Sequence, residues 1–182
     1  MYFDYGYFKY SKKKIGNFDP KKERKKMSND RTIINRIIAN EFGKEYYDGN
    51  RINGYGGYKY DGRWKIFLKK IIKRYKLKKG SKVLDIGAKK GFFLNDLKEI
   101  IPGVKIKGIE DHRYPINNAM KKVKKNIHFI NSFTNIDFPN NYFDFVHAHN
   151  SIYNYGLRDM IKIIRIISKI SKKSHITIPV YN

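Results

Sequence analysis

Apolar runs that alternate with helical repeats organise the sequence from Lys82 onward. Short, nearly continuous apolar runs are typical of buried strands, whereas apolar residues three and four positions apart indicate amphipathic helices. The pattern predicts strands at 82–87, 105–110, 127–131, 142–150 and 175–180, and helices at 91–101, 116–123 and 159–171. Because strands separated by helices specify a parallel sheet with helices on both faces, we predict a doubly wound α/β fold.

The N-terminal part of the chain has a different pattern. Residues 31–48 are predicted to form one helix, whose apolar face consists of Ile33, Ile34, Ile37, Ile38 and Phe42. A loop rich in glycine and tyrosine follows at 51–64. Asp61 is a candidate N-cap for a helix at 64–75, which has an apolar stripe opposite its lysines. We also expect Asp159 to cap the helix at 159–171.

Three segments are therefore expected: a basic mobile tail at 1–30, a helical extension with a Gly/Tyr-rich lid at 31–80, and the α/β domain at 81–182. The formal net charge is +24, and most of the 40 basic residues are lysines. The tail interleaves aromatic and lysine side chains, a pattern that could bind single-stranded nucleic acid. AT-rich coding also enriches Lys, Ile, Asn and Tyr together, so a lysine-coated surface without a nucleic-acid partner is the alternative explanation.

Several classes of protein are excluded by what the sequence lacks. With no cysteine, the chain has neither a disulfide framework nor a thiolate metal site. No set of His, Asp and Glu has metal-ligand spacing, so no metal is predicted. No apolar run is long enough to span a bilayer, and the N-terminus lacks the apolar region of a signal peptide. We expect a cytoplasmic location.

The turn after the first predicted strand contains the strongest candidate chemistry. Ligands of open α/β sheets bind beyond the carboxyl ends of the strands, and here Gly87 and Gly91 permit a sharp turn and a close approach. Glu110 ends the second strand, where a carboxylate can accept hydrogen bonds from both hydroxyls of a ribose. Asp85 would repel a pyrophosphate, but it suits the cationic methionyl end of S-adenosylmethionine.

Several stretches resemble a known family, the class I S-adenosylmethionine-dependent methyltransferases. They are VLDIGxxxGF at 83–92, GIE followed by YPINNA within 108–119, and FPNNYFDFVHAHNSIYN at 138–154. The segment GYGGYKYDGRW at 54–64 resembles a group of bacterial methyltransferase-domain proteins, and the likeness runs from about Phe42 to Val180. The resemblance implies a Rossmann-like sheet with strand order 3-2-1-4-5 and S-adenosylmethionine as the cofactor.

The resemblance also implies roles for individual residues. The contacts to the cofactor, from its methionyl end to its adenine end, would come from Asp85, Gly87, Ala88, Gly91, Glu110, Asp111, Ser132 and Phe133. Arg63 would pair with the methionyl carboxylate or remain structural, and Phe133 would either stack on adenine or fill the core. Asn150 would face the transferred methyl group unless it only caps the strand end, and His149 is a candidate base.

Three features depart from the family pattern. Lys89 stands where the turn usually has a small residue, and Ser132 replaces an acidic residue beside adenine. The chain stops at Asn182, so the usual C-terminal antiparallel strands are expected to be absent, and a partner chain could complete the fold. Three functions therefore stay open: a methyltransferase for a small molecule or sugar precursor, an RNA methyltransferase or nucleic-acid-binding protein, and a non-catalytic methyltransferase-like protein.

Overall fold

The computed structural model describes residues 30–178, and the chain divides into two compact units, residues 1–67 and 68–182. The expected mobile tail at 1–30 therefore lies almost wholly outside the described residues. The division of roles between 31–80 and 81–182 stays a prediction. Among residues 30–178, no helix combines the length and the apolarity that are needed to cross a membrane.

The N-terminal unit is organised around tyrosines. Helix α1 is Ile33–Asn40, helix α2 is Lys44–Tyr47, and helix α3, Trp64–Tyr75, begins in this unit. The Gly/Tyr-rich loop folds back on α2, because the Tyr55 and Tyr58 N–H groups donate to the Tyr46 and Tyr47 carbonyls, each at 2.8 Å. The four rings pack with centroid distances of 4.5–5.7 Å.

The prediction of one helix over 31–48 is wrong. Phe42 adopts a left-handed conformation, with φ of +48°, and this ends α1 before Gly43 caps the separate α2. A reciprocal cap between Thr32 and Asn35 starts α1. Its predicted apolar face is not buried, since Ile33, Ile34 and Ile37 are 60–74% exposed. Periodicity found the helix but not the left-handed residue that stops it.

The C-terminal unit contains the predicted sheet. Its strands are β1 Lys82–Ile86, β2 Lys105–Glu110, β3 Ile127–Phe129, β4 Phe145–His149 and β5 Ser174–Thr177. Its other helices are α4 Phe92–Ile100, α5 Arg113–Asn117 and α6 Leu157–Ile170. Within the described residues the sheet has five strands, all parallel, in the order β3-β2-β1-β4-β5. This confirms the predicted Rossmann-like architecture.

The two faces of the sheet have different coverings. On one face, Leu84 and Ile86 of β1 and Val146 and Ala148 of β4 join a buried cluster with three isoleucines of α6: Ile163, Ile167 and Ile170. On the other face, Phe93 of α4 stacks on His147, with ring centroids 3.9 Å apart. Helices on both faces account for the continuous burial of the central strands.

The helix predicted at 116–123 is wrong in its position. The structure has α5 at Arg113–Asn117. Pro115 lies in its first turn, where backbone N–H groups have no partner within the helix, so the missing N–H of proline removes no hydrogen bond. The Asn118 side chain donates to the Tyr114 carbonyl at 2.9 Å, which competes with continuation of the helix. The Met120 N–H then donates to the Lys90 carbonyl at 3.0 Å, so the chain has left the helical path.

Both predicted N-caps are also displaced. Because α3 begins at Trp64, Asp61 lies before its cap position, and the Asp61 carboxylate accepts from the Arg63 N–H at 3.1 Å instead. Helix α6 begins at Leu157 after Gly156, which places Asp159 in the first turn. A carboxylate in that turn still stabilises the helix through the macrodipole.

Candidate functional site

The carboxyl ends of β1, β2 and β4 bring most of the predicted residues to one edge of the sheet. The turn from Gly87 to Gly91 follows β1, and the Gly87 and Ala88 N–H groups donate to the Ile109 carbonyl on β2 at 2.9 and 3.1 Å. Glu110 is the last residue of β2, and His149 is the last residue of β4. This is the edge where open α/β sheets bind their ligands.

At both predicted glycines of the turn, only a residue without a side chain fits. Gly87 and Gly91 have φ values of +71° and +77°, in the left-handed region. A Cβ on Gly91 would lie 2.8 Å from both Ile127 and Val123, so this glycine lets α4 approach β3. A Cβ on Gly87 would collide with the side chain of Ser151. The close approach at Gly87 is therefore made by the loop after β4.

Gly87→Ala should lower the free energy of unfolding by about 2–4 kcal/mol, because the new Cβ meets Ser151 and alanine disfavours a left-handed backbone. Urea denaturation followed by circular dichroism measures the loss. Gly80→Ala is the matched control: its φ is +83°, and among residues 30–178 no atom outside its two chain neighbours lies within 4 Å of the new Cβ. The control should lose only about 1–2 kcal/mol. Equal losses in the two variants would contradict the contact with Ser151.

Asp85 is held from inside the sheet. Register pairs it with His147 on β4, and the carboxylate Oδ1 lies 2.8 Å from His147 Nδ1. Their side chains are only 5% and 1% exposed. The sequence predicts Asp85 at the cationic end of the cofactor, and its pattern does not indicate His147 as a partner. The available signal was one polar residue inside each of two buried, adjacent strands.

Glu110 is tied to the turn by the backbone of Lys89. The Lys89 N–H donates to Glu110 Oε2 at 2.7 Å, and Lys89 itself has a φ of +52°. Burial raises the pKa of Glu110, although hydrogen bonds from His112 and Lys89 oppose the rise. Lys89, which replaces the small residue usual in this family, is thus a non-glycine residue with a left-handed backbone. The backbone amide of Lys89 orients the Glu110 carboxylate, which is predicted to hold the ribose.

Two further polar residues follow Glu110. His112 Nδ1 lies 2.7 Å from Asp111 Oδ1 and 3.5 Å from Glu110 Oε1. Burial alone would lower the pKa of His112, but these two carboxylates outweigh burial and raise it to about 9. His112 is therefore a cation at neutral pH. The three donor atoms lie within 4.8 Å of one another, close enough for a metal ion, which the sequence spacing did not indicate.

Tyr155 connects this cluster with the loop after β3. Its hydroxyl donates to Asp111 Oδ2 at 2.8 Å and accepts from the Phe133 N–H at 3.0 Å. Phe133 is 1% exposed and belongs to the buried cluster, while Ser132 accepts from the Thr134 N–H at 3.2 Å. The adenine-side roles of Ser132 and Phe133 stay predictions. Tyr155 could not be predicted from the sequence, because its hydrogen-bond partners are distant in the chain and no local pattern marks them.

His149 and Asn150 form a small network with β5. His149 Nδ1 lies 2.6 Å from Thr177 Oγ1, and its Nε2 lies 3.4 Å from the Asn150 amide nitrogen. Burial, followed by the charge of Lys89, lowers the pKa of His149 well below its usual value. The imidazole is therefore neutral and weakly basic, which disfavours strong general-base chemistry. Asn150 has a φ of +46°, which asparagine tolerates better than most residues.

His147 and His149 lie two residues apart on β4. The rings of His147 and His149 are parallel within 3°, with centroids 6.0 Å apart, so both lie on one face.

Arg63 belongs to the N-terminal unit, where its Nε donates to Asp61 Oδ2 at 2.7 Å. Its pairing with the methionyl carboxylate stays a prediction.

Comparison with known proteins identifies the family. Residues 59–181 match the family described as "Methyltransferase domain". None of the curated proteins matches the chain. A putative S-adenosylmethionine-dependent methyltransferase from Methanococcus maripaludis is 21% identical, with a TM-score of 0.50 over 60% of this chain and 51% of that one. The [4+2]-cyclase SpnF is 20% identical, with a TM-score of 0.52 over 63% of this chain and 45% of that one.

A further solved structure is a SAM-dependent methyltransferase from Aquifex aeolicus. It is 25% identical, with a TM-score of 0.46 over 63% of this chain and 69% of that one. For several other solved structures that it resembles, this chain spans about half of their length. The family match, the sheet order and the acidic residues at the strand ends agree with one another. The chain belongs to the methyltransferase-domain family, within the class I fold, and the cofactor of that family is S-adenosylmethionine.

Proposed function

We propose that this chain transfers the methyl group of S-adenosylmethionine to a small molecule or a sugar precursor. The observation that carries the proposal is the hydrogen bond from the Lys89 N–H to Glu110, which fixes a buried carboxylate at the end of β2. The two side chains fit the cofactor, because the Glu110 carboxylate can accept hydrogen bonds from ribose hydroxyls and Asp111 provides a second carboxylate beside it. The cytoplasmic location and the acceptor class belong to this proposal.

When bound, the cofactor supplies an electrophilic methyl group on a sulfonium. In-line transfer of that group needs orientation and exclusion of water more than proton chemistry. Glu110 and Asp111 would orient the ribose, while Gly87, Ala88 and Gly91 would shape the turn beside the methionyl end. Asn150 would line the acceptor side. The neutral, weakly basic His149 favours acceptors that do not need a strong base.

Isothermal titration calorimetry with S-adenosylmethionine and S-adenosylhomocysteine tests the proposal. We expect saturable binding of both, followed by methyl transfer to a panel of small molecules and sugar precursors measured with tritiated cofactor. Heat-denatured protein is the control for non-specific transfer. Absence of binding at millimolar cofactor would remove the proposed function.

A non-catalytic methyltransferase-like protein is the second candidate, and Lys89 favours it. Its left-handed backbone and its positive charge both lie in the turn, and that charge helps to lower the pKa of His149. A cation there would also repel the sulfonium. Turnover of the wild type and of Lys89→Gly distinguishes the two candidate functions. If the protein is catalytic, we expect both to transfer the methyl group. Binding of the cofactor without turnover by either protein supports the non-catalytic candidate.

A further inference from the structure

Tyr155 has no role in the proposed mechanism. It lies in the loop between β4 and α6, close behind Asn150, and its phenol is partly buried. The hydroxyl makes two hydrogen bonds to different parts of the sheet edge, one to Asp111 after β2 and one to the Phe133 N–H after β3. One side chain therefore joins the loops that follow three of the strands.

These bonds leave Asp111 with little freedom. Its Oδ2 accepts from Tyr155 at 2.8 Å, and its Oδ1 lies 2.7 Å from His112 Nδ1, so both oxygens have fixed partners. Burial, with the nearby charge of Asp111, raises the pKa of Tyr155 to about 12. The phenol therefore keeps its proton at neutral pH and remains the donor in the bond to Asp111.

We propose that Tyr155 is a positioning residue that acts through Asp111 on the ribose end of the cofactor site, and this role rests on the proposed function. A carboxylate oriented before binding loses less side-chain entropy when the ligand arrives, which strengthens binding without adding a direct contact. The same phenol holds the loop that carries Asn150. Tyr155 therefore couples the ribose end of the site to the loop on the acceptor side.

The loop offers a matched control. Tyr153 lies two residues before Tyr155 and is half-buried, but it makes no hydrogen bond within the described part of the chain. Tyr155→Phe and Tyr153→Phe each remove one phenolic hydroxyl from the same loop. Only the first removes a bond to Asp111. A difference between the two variants therefore reports on the hydrogen bonds of Tyr155 to Asp111 and to the Phe133 N–H, and not on the loss of a hydroxyl from the loop.

Calorimetry with S-adenosylhomocysteine and with its 2′-deoxy analogue tests this role. For Tyr155→Phe we expect the Kd of S-adenosylhomocysteine to rise about five- to tenfold, which is less than the full value of one hydrogen bond to a charged group because Asp111 itself remains in place. The Kd of the 2′-deoxy analogue should change about twofold or less, so the preference for the intact ribose falls. Tyr153→Phe should keep the wild-type Kd values and the wild-type preference.

The following results would contradict the positioning role of Tyr155. Equal weakening of both ligands by Tyr155→Phe would make Tyr155 merely structural and would leave the proposed function intact. Absence of S-adenosylhomocysteine binding to the wild type would remove the proposed function and this role together. If Tyr155→Phe does not fold, Asp111→Asn replaces it, because the amide keeps the shape but loses the charge. An unchanged ribose preference in that variant would overturn the role.

Discussion

His147→Phe should lower the free energy of unfolding by about 3 kcal/mol, because it leaves the buried Asp85 carboxylate without its imidazole partner. Phenylalanine preserves the ring that stacks on Phe93 at 3.9 Å, so little of the loss should come from packing. Urea denaturation of the full chain, followed by circular dichroism, measures the effect.

Two variants isolate the cause of that loss. His175→Phe changes the neighbouring histidine of β5, whose pKa is lowered by burial to about 3 and which is therefore neutral. It should cost about 1 kcal/mol or less, since no contact with a buried carboxylate is broken. In the double variant of Asp85→Leu with His147→Phe, most of the stability should return, because an apolar pair replaces a buried polar one. Equal losses for His147→Phe and His175→Phe would show that the Asp85 contact contributes little.

Glu110→Gln should raise the Kd of S-adenosylmethionine about 10- to 100-fold. The amide preserves the volume of the side chain, but it loses the charge that makes each hydrogen bond from a ribose hydroxyl worth about 1.5–3 kcal/mol. Calorimetry at neutral pH measures the change. Because burial raises the pKa of Glu110, the wild type should also lose affinity as the pH falls, and sooner than an exposed glutamate would allow. The variant should lack this part of the pH dependence.

Glu99→Gln is the control for the change of charge. Glu99 lies near the end of α4 and pairs on the surface with Lys122 at 3.5 Å. Its replacement removes the same charge from the chain but should leave the Kd within about twofold of the wild type. Wild-type affinity in Glu110→Gln, with an unchanged pH profile, would exclude Glu110 from the cofactor site.

The parts of the fold that depend on repeating patterns could be predicted from the sequence. The apolar runs located the five strands, and the short turn with Gly87 and Gly91 located the edge where the site lies. The helix expected at 116–123 could not be placed, because the Asn118 side chain and the contact between Met120 and Lys90 end it by local and tertiary hydrogen bonds. Periodicity does not contain such information.

The candidate site could be predicted only as a set of strand ends. Sequence position indicated that Asp85, Glu110 and Asn150 would meet at one edge, since parallel strands end together. It could not indicate that His147 holds Asp85 or that Tyr155 reaches Asp111, because those contacts depend on register between strands that are distant in sequence. In both cases the side chain contacts another side chain that is far away in the sequence, and no local pattern marks that contact.

The contact between Gly87 and Ser151 limits how this protein can be redesigned. The turn that we assign to the cofactor and the loop that we assign to the acceptor fit against each other without room for one methyl group. Grafting a foreign loop between β4 and α6, to change the acceptor, would therefore alter the cofactor turn as well. Directed evolution of a new acceptor would have to mutate both segments together, so libraries that vary only the loop should yield mostly variants with weakened cofactor binding.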